Sequence, residues 1–155
     1  MKYIPLSQRK SNTPHGDIDS IMENIARVES GGKYDAKGPT VEKGQYAGEQ
    51  ALGKYQIMPG NIPSWSKEAL GYEVSTEEFL NDPEIQDKIA RDRMSKIYTE
   101  YGNPEDVASV WFTGRPQSES ANLSDVTGTT GQEYVSRVTG TQPKKMAYTP
   151  LSQRI

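Results

Sequence analysis

From Asp17 onward, apolar side chains recur at the spacing of an α-helix: Ile18, Ile21, Met22, Ile25 and Val28 form one stripe, and Gly31-Gly32 then supplies a stop. The pattern returns along the chain. Asn61 and Pro63 ahead of Trp65 to Leu70, with Gly71 behind, predict a short helix. Ser75-x-x-Glu78 is a capping box. Asp82-Pro83 opens a longer helix whose Ile85, Ile89, Ala90, Met94, Ile97, Tyr98 and Tyr101 share a face before Gly102. Asn103-Pro104 starts the most apolar stretch, Val107 to Phe112, and a last helix runs from the box Thr130-x-x-Glu133 through Tyr134, Val135 and Val138 to Gly140. Each segment can bury one stripe only against another segment, which predicts a mainly α domain over residues 17–140. Lys33 to Gly53 and Thr113 to Gly128 show neither helical nor strand period. Loops this long in a compact domain commonly wall a binding cleft, and a small β-hairpin is expected between Val41 and Tyr55.

Outside that span the two ends carry nearly the same segment. Tyr3 to Arg9 and Tyr148 to Arg154 differ only at Ile4 against Thr149, and their polar, Pro-containing surroundings predict extended tails over 1–16 and 141–155. They read either as a repeated linker or as docking or processing peptides of a larger polypeptide or assembly.

Composition narrows the chemistry. The 18 Lys+Arg against 21 Asp+Glu lack the basic excess that binding a nucleic-acid backbone takes. No apolar run approaches the roughly 18 residues of a membrane span, and the opening MKYIPLSQRK has no apolar core of a secretory signal, so action outside a cytoplasm calls for delivery by other means. With Cys 0 there is no thiolate nucleophile, disulfide or Cys-liganded zinc. The single histidine, His15, lies in a Thr-Pro-His-Gly turn, poorly placed as the base of a triad and insufficient for a multi-His metal site. No metal motif is present and no cofactor is expected. Carboxylates, amides, hydroxyls and lysines remain.

One carboxylate breaks the pattern. Four residues beyond Ile25 the apolar stripe of the first helix reaches Glu29. Burial there, together with the negative end of the helix dipole, disfavours the ionised form and raises the pKa. A carboxylic acid that keeps its proton near neutrality suits general-acid cleavage of an acetal. At the frayed end before Ser30-Gly31-Gly32, the alternative is a side chain that simply reaches water.

The surroundings favour the acid. Glu29-Ser30-Gly31-Gly32, followed by Ala51-Leu52-Gly53-Lys54-Tyr55-Gln56-Ile57-Met58-Pro59, resembles the two leading motifs of the soluble lytic transglycosylase and lysozyme-like family, a catalytic Glu-Ser at a helix end and a Gly-x-x-Gln-x-Met-Pro run. Ala108 to Gly114 is similar to that family's Ala-Tyr-Asn-Ala-Gly helix, and Tyr134-Val135 to its late Tyr-Val segment. Here Phe112 stands where the family usually has Asn, and Trp111 replaces the usual Tyr.

The resemblance implies a lysozyme-like helical domain that cleaves peptidoglycan between N-acetylmuramic acid and N-acetylglucosamine, with Glu29 protonating the bridging oxygen. Gln56 and Tyr55 would line the cleft, Ser30 would hydrogen-bond near Glu29 or the sugar, Met58 would shape the floor, and Tyr134 would reach toward the catalytic carboxyl. One Glu suffices in such transglycosylases, because the sugar's own 6-hydroxyl closes an anhydro ring. An inverting hydrolase instead needs a second carboxylate roughly 6.5–9.5 Å from the acid, for which Asp35, Glu42 and Glu49 are candidates. Tyr34, Tyr46 and above all Tyr55 are candidate sugar-stacking rings, Trp111 is assigned to the core, and Trp65 fits either place. Asp87 and Asp92, alternating with Arg91, Arg93 and Lys96, read as a solvated salt-bridged face. The competing readings are a glycan-binding module without the chemistry and a structural part of an assembly. A wall-cutting domain without a signal and with linker-like ends fits a phage virion or tail component delivered to the bacterial periplasm or cell wall.

Overall fold

The ends of the helices follow local rules. Asp82 accepts hydrogen bonds from the Glu84 and Ile85 amides at 3.0 and 3.3 Å, Asn103 accepts from Asp106 at 2.8 Å, and both capping boxes form, Ser75 with Glu78 and Thr130 with Glu133. The chain, described over residues 16–125 and 128–140 of a computed structural model, therefore breaks into helices close to where its punctuation falls. These are α1 (Gly16–Ser30), α2 (Ile62–Leu70), α3 (Thr76–Asn81), α4 (Pro83–Tyr101), α5 (Pro104–Thr113), α6 (Gln117–Ser120) and α7 (Gly131–Thr139). Strands β1 (Lys37–Thr40) and β2 (Gln50–Leu52) and a 3-10 turn at Pro59–Asn61 lie between α1 and α2. His15 and the two matching terminal segments lie outside the described residues.

Four helices make most of the core, to which Ile62 of α2, Phe79 of α3, Leu52 of β2, and Tyr55 and Ile57 between β2 and α2 add buried side chains. α1, α4, α5 and α7 pack on one another, while α2 and α3 pack on α4. Ile18, Ile21, Met22 and Ile25 from α1 meet Ile89, Ala90 and Met94 from α4, Val107 and Ala108 from α5, and Val135 and Val138 from α7. Full burial of each large apolar side chain contributes about 1.5–3 kcal/mol, so the stripes read from the sequence are what hold the bundle. No helix among the described residues is long and apolar enough to cross a membrane.

Two segments expected to be loops hold structure. The hairpin begins before the window assigned to it: Lys37 pairs with Leu52 and Thr40 with Gln50, antiparallel and with an irregular register, and the pairing runs on through Val41 and Glu49. Gly38-Pro39 hid the first strand, since neither residue favours one. The stretch after α5 holds α6, tied down where Asp106 accepts from the Gln117 amide at 2.9 Å and where the Ser109 and Ser120 hydroxyls hydrogen-bond each other in the core.

Candidate active site

Glu29 is the penultimate residue of α1, half-buried, and Tyr134 in the first turn of α7 donates its hydroxyl to the Glu29 Oε1 at 2.6 Å. Burial pushes the Glu29 carboxyl from its ordinary 4.5 up to about 7; the Tyr134 hydrogen bond pulls it partly back, and the charge of Asp125 adds to the rise. Burial also holds the Tyr134 phenol protonated well above its ordinary range, with the neighbouring Glu29 charge acting in the same direction. The pair is therefore a protonated phenol donating to a carboxyl that keeps its proton in a sizeable share of molecules near neutrality, where an ordinary glutamate is ionised. The ring of Tyr134 is fixed by Phe112, stacked on it at 4.3 Å between centroids and 7° between planes.

Phe112 also lines a groove of about 720 Å³, bounded by Tyr46, Gln56, Met58, Trp65 and Trp111. Trp111, assigned to the core from the helix pattern, packs against the core and lines the groove as well. It is half-buried on the groove, tilted against Trp65 with centroids 5.6 Å apart, and its indole N–H donates to the Tyr55 carbonyl at 3.2 Å. Trp65 also carries the Arg93 guanidinium over its ring, 4.8 Å from the centroid.

The residues picked from the sequence separate into two sets. Gln56 and Met58 line the groove, and Tyr134 touches Glu29. Tyr55 does not wall the cleft: it is 0% exposed, and its hydroxyl donates to Asp87 at 2.7 Å. Ser30 faces the chain, donating to the Lys54 carbonyl at 2.7 Å and accepting from the amides of Gly32 and Lys33 at 3.1 Å each. It clasps the end of α1 onto the 53–57 turn. Asp35 and Glu42 are exposed. Glu49 lies against the Pro59–Asn61 turn, and its Oε2 is the one buried side-chain oxygen or nitrogen among the described residues without a hydrogen-bond partner. Of the tyrosines offered for stacking, Tyr46 lines the groove, whereas Tyr34 is bound to Asp87.

The turn itself is strained. Gln56 has φ 54°, the left-handed region, which costs a non-glycine residue roughly 1–2 kcal/mol. Its amide Nε2 donates to the Gly53 carbonyl at 3.0 Å, and its Oε1 occupies space that any side chain at position 38 would need. Behind the turn stand two buried polar residues of α4. Gln86 accepts from the Lys54 amide at 2.9 Å and donates to the carbonyls of Tyr34 at 2.9 Å and Phe79 at 3.1 Å. It sits so close to Gly53, itself at φ 80°, that only glycine fits there. Asp87, 1% exposed, takes the Tyr55 hydroxyl at 2.7 Å and the Tyr34 hydroxyl at 2.9 and 3.0 Å on its two oxygens. Placing Asp87 on a solvated face was wrong, although Arg91 with Asp19 and Lys96 with Asp92 do form ion pairs. Stepping back three and four residues from Ala90 along the buried face of α4 reaches Asp87 and Gln86, the same periodic signal that exposed Glu29. Asp125 had no comparable signal. Among the described residues no three His, Cys, Asp or Glu side chains gather as metal ligands do.

This is a helical fold in which the acid does not itself line the groove but is joined to its wall through Tyr134 and the Phe112 ring stacked on it. The Transglycosylase SLT domain family matches residues 6–127, which include Glu29, the Gly53 to Pro59 run and Phe112 but stop short of Tyr134. The chain belongs to that family, whose members are lytic transglycosylases acting on peptidoglycan. Comparison with curated proteins and with solved structures returns no match.

Proposed function

We propose that the domain cuts the β-1,4 bond between N-acetylmuramic acid and N-acetylglucosamine with Glu29 as general acid, and that it releases 1,6-anhydro ends. The observation that carries this reading is the half-buried Glu29, pushed to about 7 and donated to by Tyr134, whose ring stacks on the groove-lining Phe112. Glu29 gives its proton to the bridging oxygen as the bond from C1 to that oxygen breaks, with the neighbouring N-acetyl carbonyl supporting C1 from the other face. The 6-hydroxyl of the same sugar then attacks C1 and returns a proton to the Glu29 carboxylate, so no water is consumed. Gln56, whose Nε2 donates to the Gly53 and Ala36 carbonyls, has its amide oxygen left to accept from an N-acetyl N–H or a hydroxyl of the sugar, and Met58 and Trp111 offer apolar surface to its faces.

Glu49 favours a second reading. Its unpartnered Oε2 is an acceptor to which a water could be held for attack at C1, giving hydrolysis. Mass spectrometry of purified peptidoglycan digested with the full chain separates the two. Anhydro ends, lost in Glu29→Gln and kept in Glu49→Gln, support the first; reducing ends alone, lost in both variants, support the second. Wild-type protein that binds the wall without releasing fragments is a glycan-binding module and defeats both.

A further inference from the structure

The 53–57 turn is held at every polar point that faces inward. Gln86 holds the Lys54 amide, Ser30 holds the Lys54 carbonyl, Trp111 holds the Tyr55 carbonyl and Asp87 holds the Tyr55 hydroxyl. Asp87 also holds Tyr34, whose hydroxyl accepts from the Lys54 ammonium at 3.4 Å. The turn delivers Gln56 to the groove on one side and clasps the residue next to Glu29 on the other. Nothing in the acid chemistry of Glu29 uses Asp87, yet a buried carboxylate with two phenol donors is the hub of this web.

We propose that Asp87 is a positioning residue for the site: as a carboxylate it accepts from Tyr55 and Tyr34 together, and so fixes the turn that presents Gln56 and braces Ser30 beside Glu29. Only the ionised form accepts from both phenols with all its oxygen lone pairs; once protonated, one oxygen becomes a donor and the web must rearrange. The groups around it are Tyr34 and Tyr55 from the two loops, Lys54 beyond Tyr34, Glu23 of α1 on the Lys54 ammonium at 3.3 Å, and Arg91 of α4, paired with Asp19 of α1. Burial pushes Asp87 from its ordinary 3.8 up to about 7, while Arg91 pulls it down. The web therefore loosens as pH falls through that value. The rate passes through a maximum whose acid limb belongs to Asp87; the alkaline limb rests on the reading of Glu29 as the acid.

The test is the pH dependence of lysis of purified peptidoglycan by the full chain and its variants. Asp87→Asn is expected to lose the acid limb and to lower the optimal rate about tenfold or more, as small misplacements of a site do. Tyr55→Phe, which keeps the ring in the core, is expected to move the acid limb to higher pH, because a carboxylate that loses a donor is harder to ionise. The Trp111 indole N–H, bonded to the Tyr55 carbonyl, reports the turn without any activity: its NMR signal is expected to titrate in the wild type with a midpoint near that of the acid limb, and to stay fixed in Asp87→Asn. If Asp87→Asn does not fold, Tyr55→Phe and the wild-type Trp111 titration decide. An acid limb that survives in Asp87→Asn or stays in place in Tyr55→Phe, or a Trp111 signal that does not titrate in the wild type, overturns the proposal. A wild type that cannot lyse the wall but whose Trp111 titrates defeats the Glu29 reading and leaves the Asp87 web standing.

Discussion

Glu29 and Asp87 are both carboxylates on buried helix faces, and burial pushes each to about 7. Their surroundings differ in access. Glu29 is half-buried and receives a phenol hydroxyl from Tyr134, whose ring stacks on the groove-lining Phe112, whereas Asp87 is sealed at 1% exposure and receives two. The comparison teaches that desolvation sets when a group titrates, while the path to substrate sets what the titration is good for. An acid that a glycan can reach is able to give its proton away; a sealed one can only change how tightly its neighbours are held.

The sharpest way to break the comparison is Glu29→Gln, which on the proposed reading lowers peptidoglycan lysis about 10³-fold with the groove intact, as removal of a general acid does. Lysis at the wild-type rate would make Glu29 as much a scaffold as Asp87. The same variant carries a stability signature. A carboxyl whose pKa rises from 4.5 unfolded to about 7 folded favours the native state fully below the lower value and loses that contribution as pH climbs to the upper one. Wild-type stability is expected to fall by up to about 3 kcal/mol between pH about 4 and about 8 relative to Glu29→Gln, measured as the difference between their denaturant melts at each pH. Parallel melts at every pH would mean that Glu29 ionises freely in the fold.

Tyr134→Phe acts on the partner. Removing the phenol donor takes away the interaction that lowers the Glu29 pKa, so the alkaline limb of the rate profile is expected to move up by about one unit. A downward move would show that the phenol stabilises the protonated acid instead. The smallest expected effect is at Asp125. Neutralising it in Asp125→Asn removes a repulsive charge, and the alkaline limb should shift down by a few tenths of a unit, the scale of a screened surface interaction, and less at high salt. No shift even at low salt would place the Asp125 charge too far away to matter.

Much of the helical architecture and part of the site were legible in advance. Apolar stripes, capping boxes and glycine stops are local signals, and Glu29 stood out because it fell on a stripe that otherwise carried only apolar residues. Gln56 and Met58 were picked as candidates through the motif that resembles the family's, and both line the groove. Tyr55 was misplaced for a physical reason: its motif neighbours Gln56 and Met58 face the groove, while its own ring is buried in the core with its hydroxyl on Asp87, a partner 32 residues away. Trp111 packs against the core as assigned but also lines the groove, since an apolar helix face does not say which of its residues lies at the edge of the bundle. Asp87 was read from the charges beside it instead of from the face it shares with Ala90.

The sequence alone determined most of the segments that become helices, where they end, and that a carboxyl falls on the apolar stripe of the first, because these depend on spacing within a few turns. Only the tertiary structure decided what meets that carboxyl. The phenol comes from position 134, the ring that stacks on it from 112, and the web behind the turn from 34, 55 and 87. Contacts so distant in the chain leave no periodic trace, and they form only when α1, α4, α5 and α7 close on their shared apolar faces.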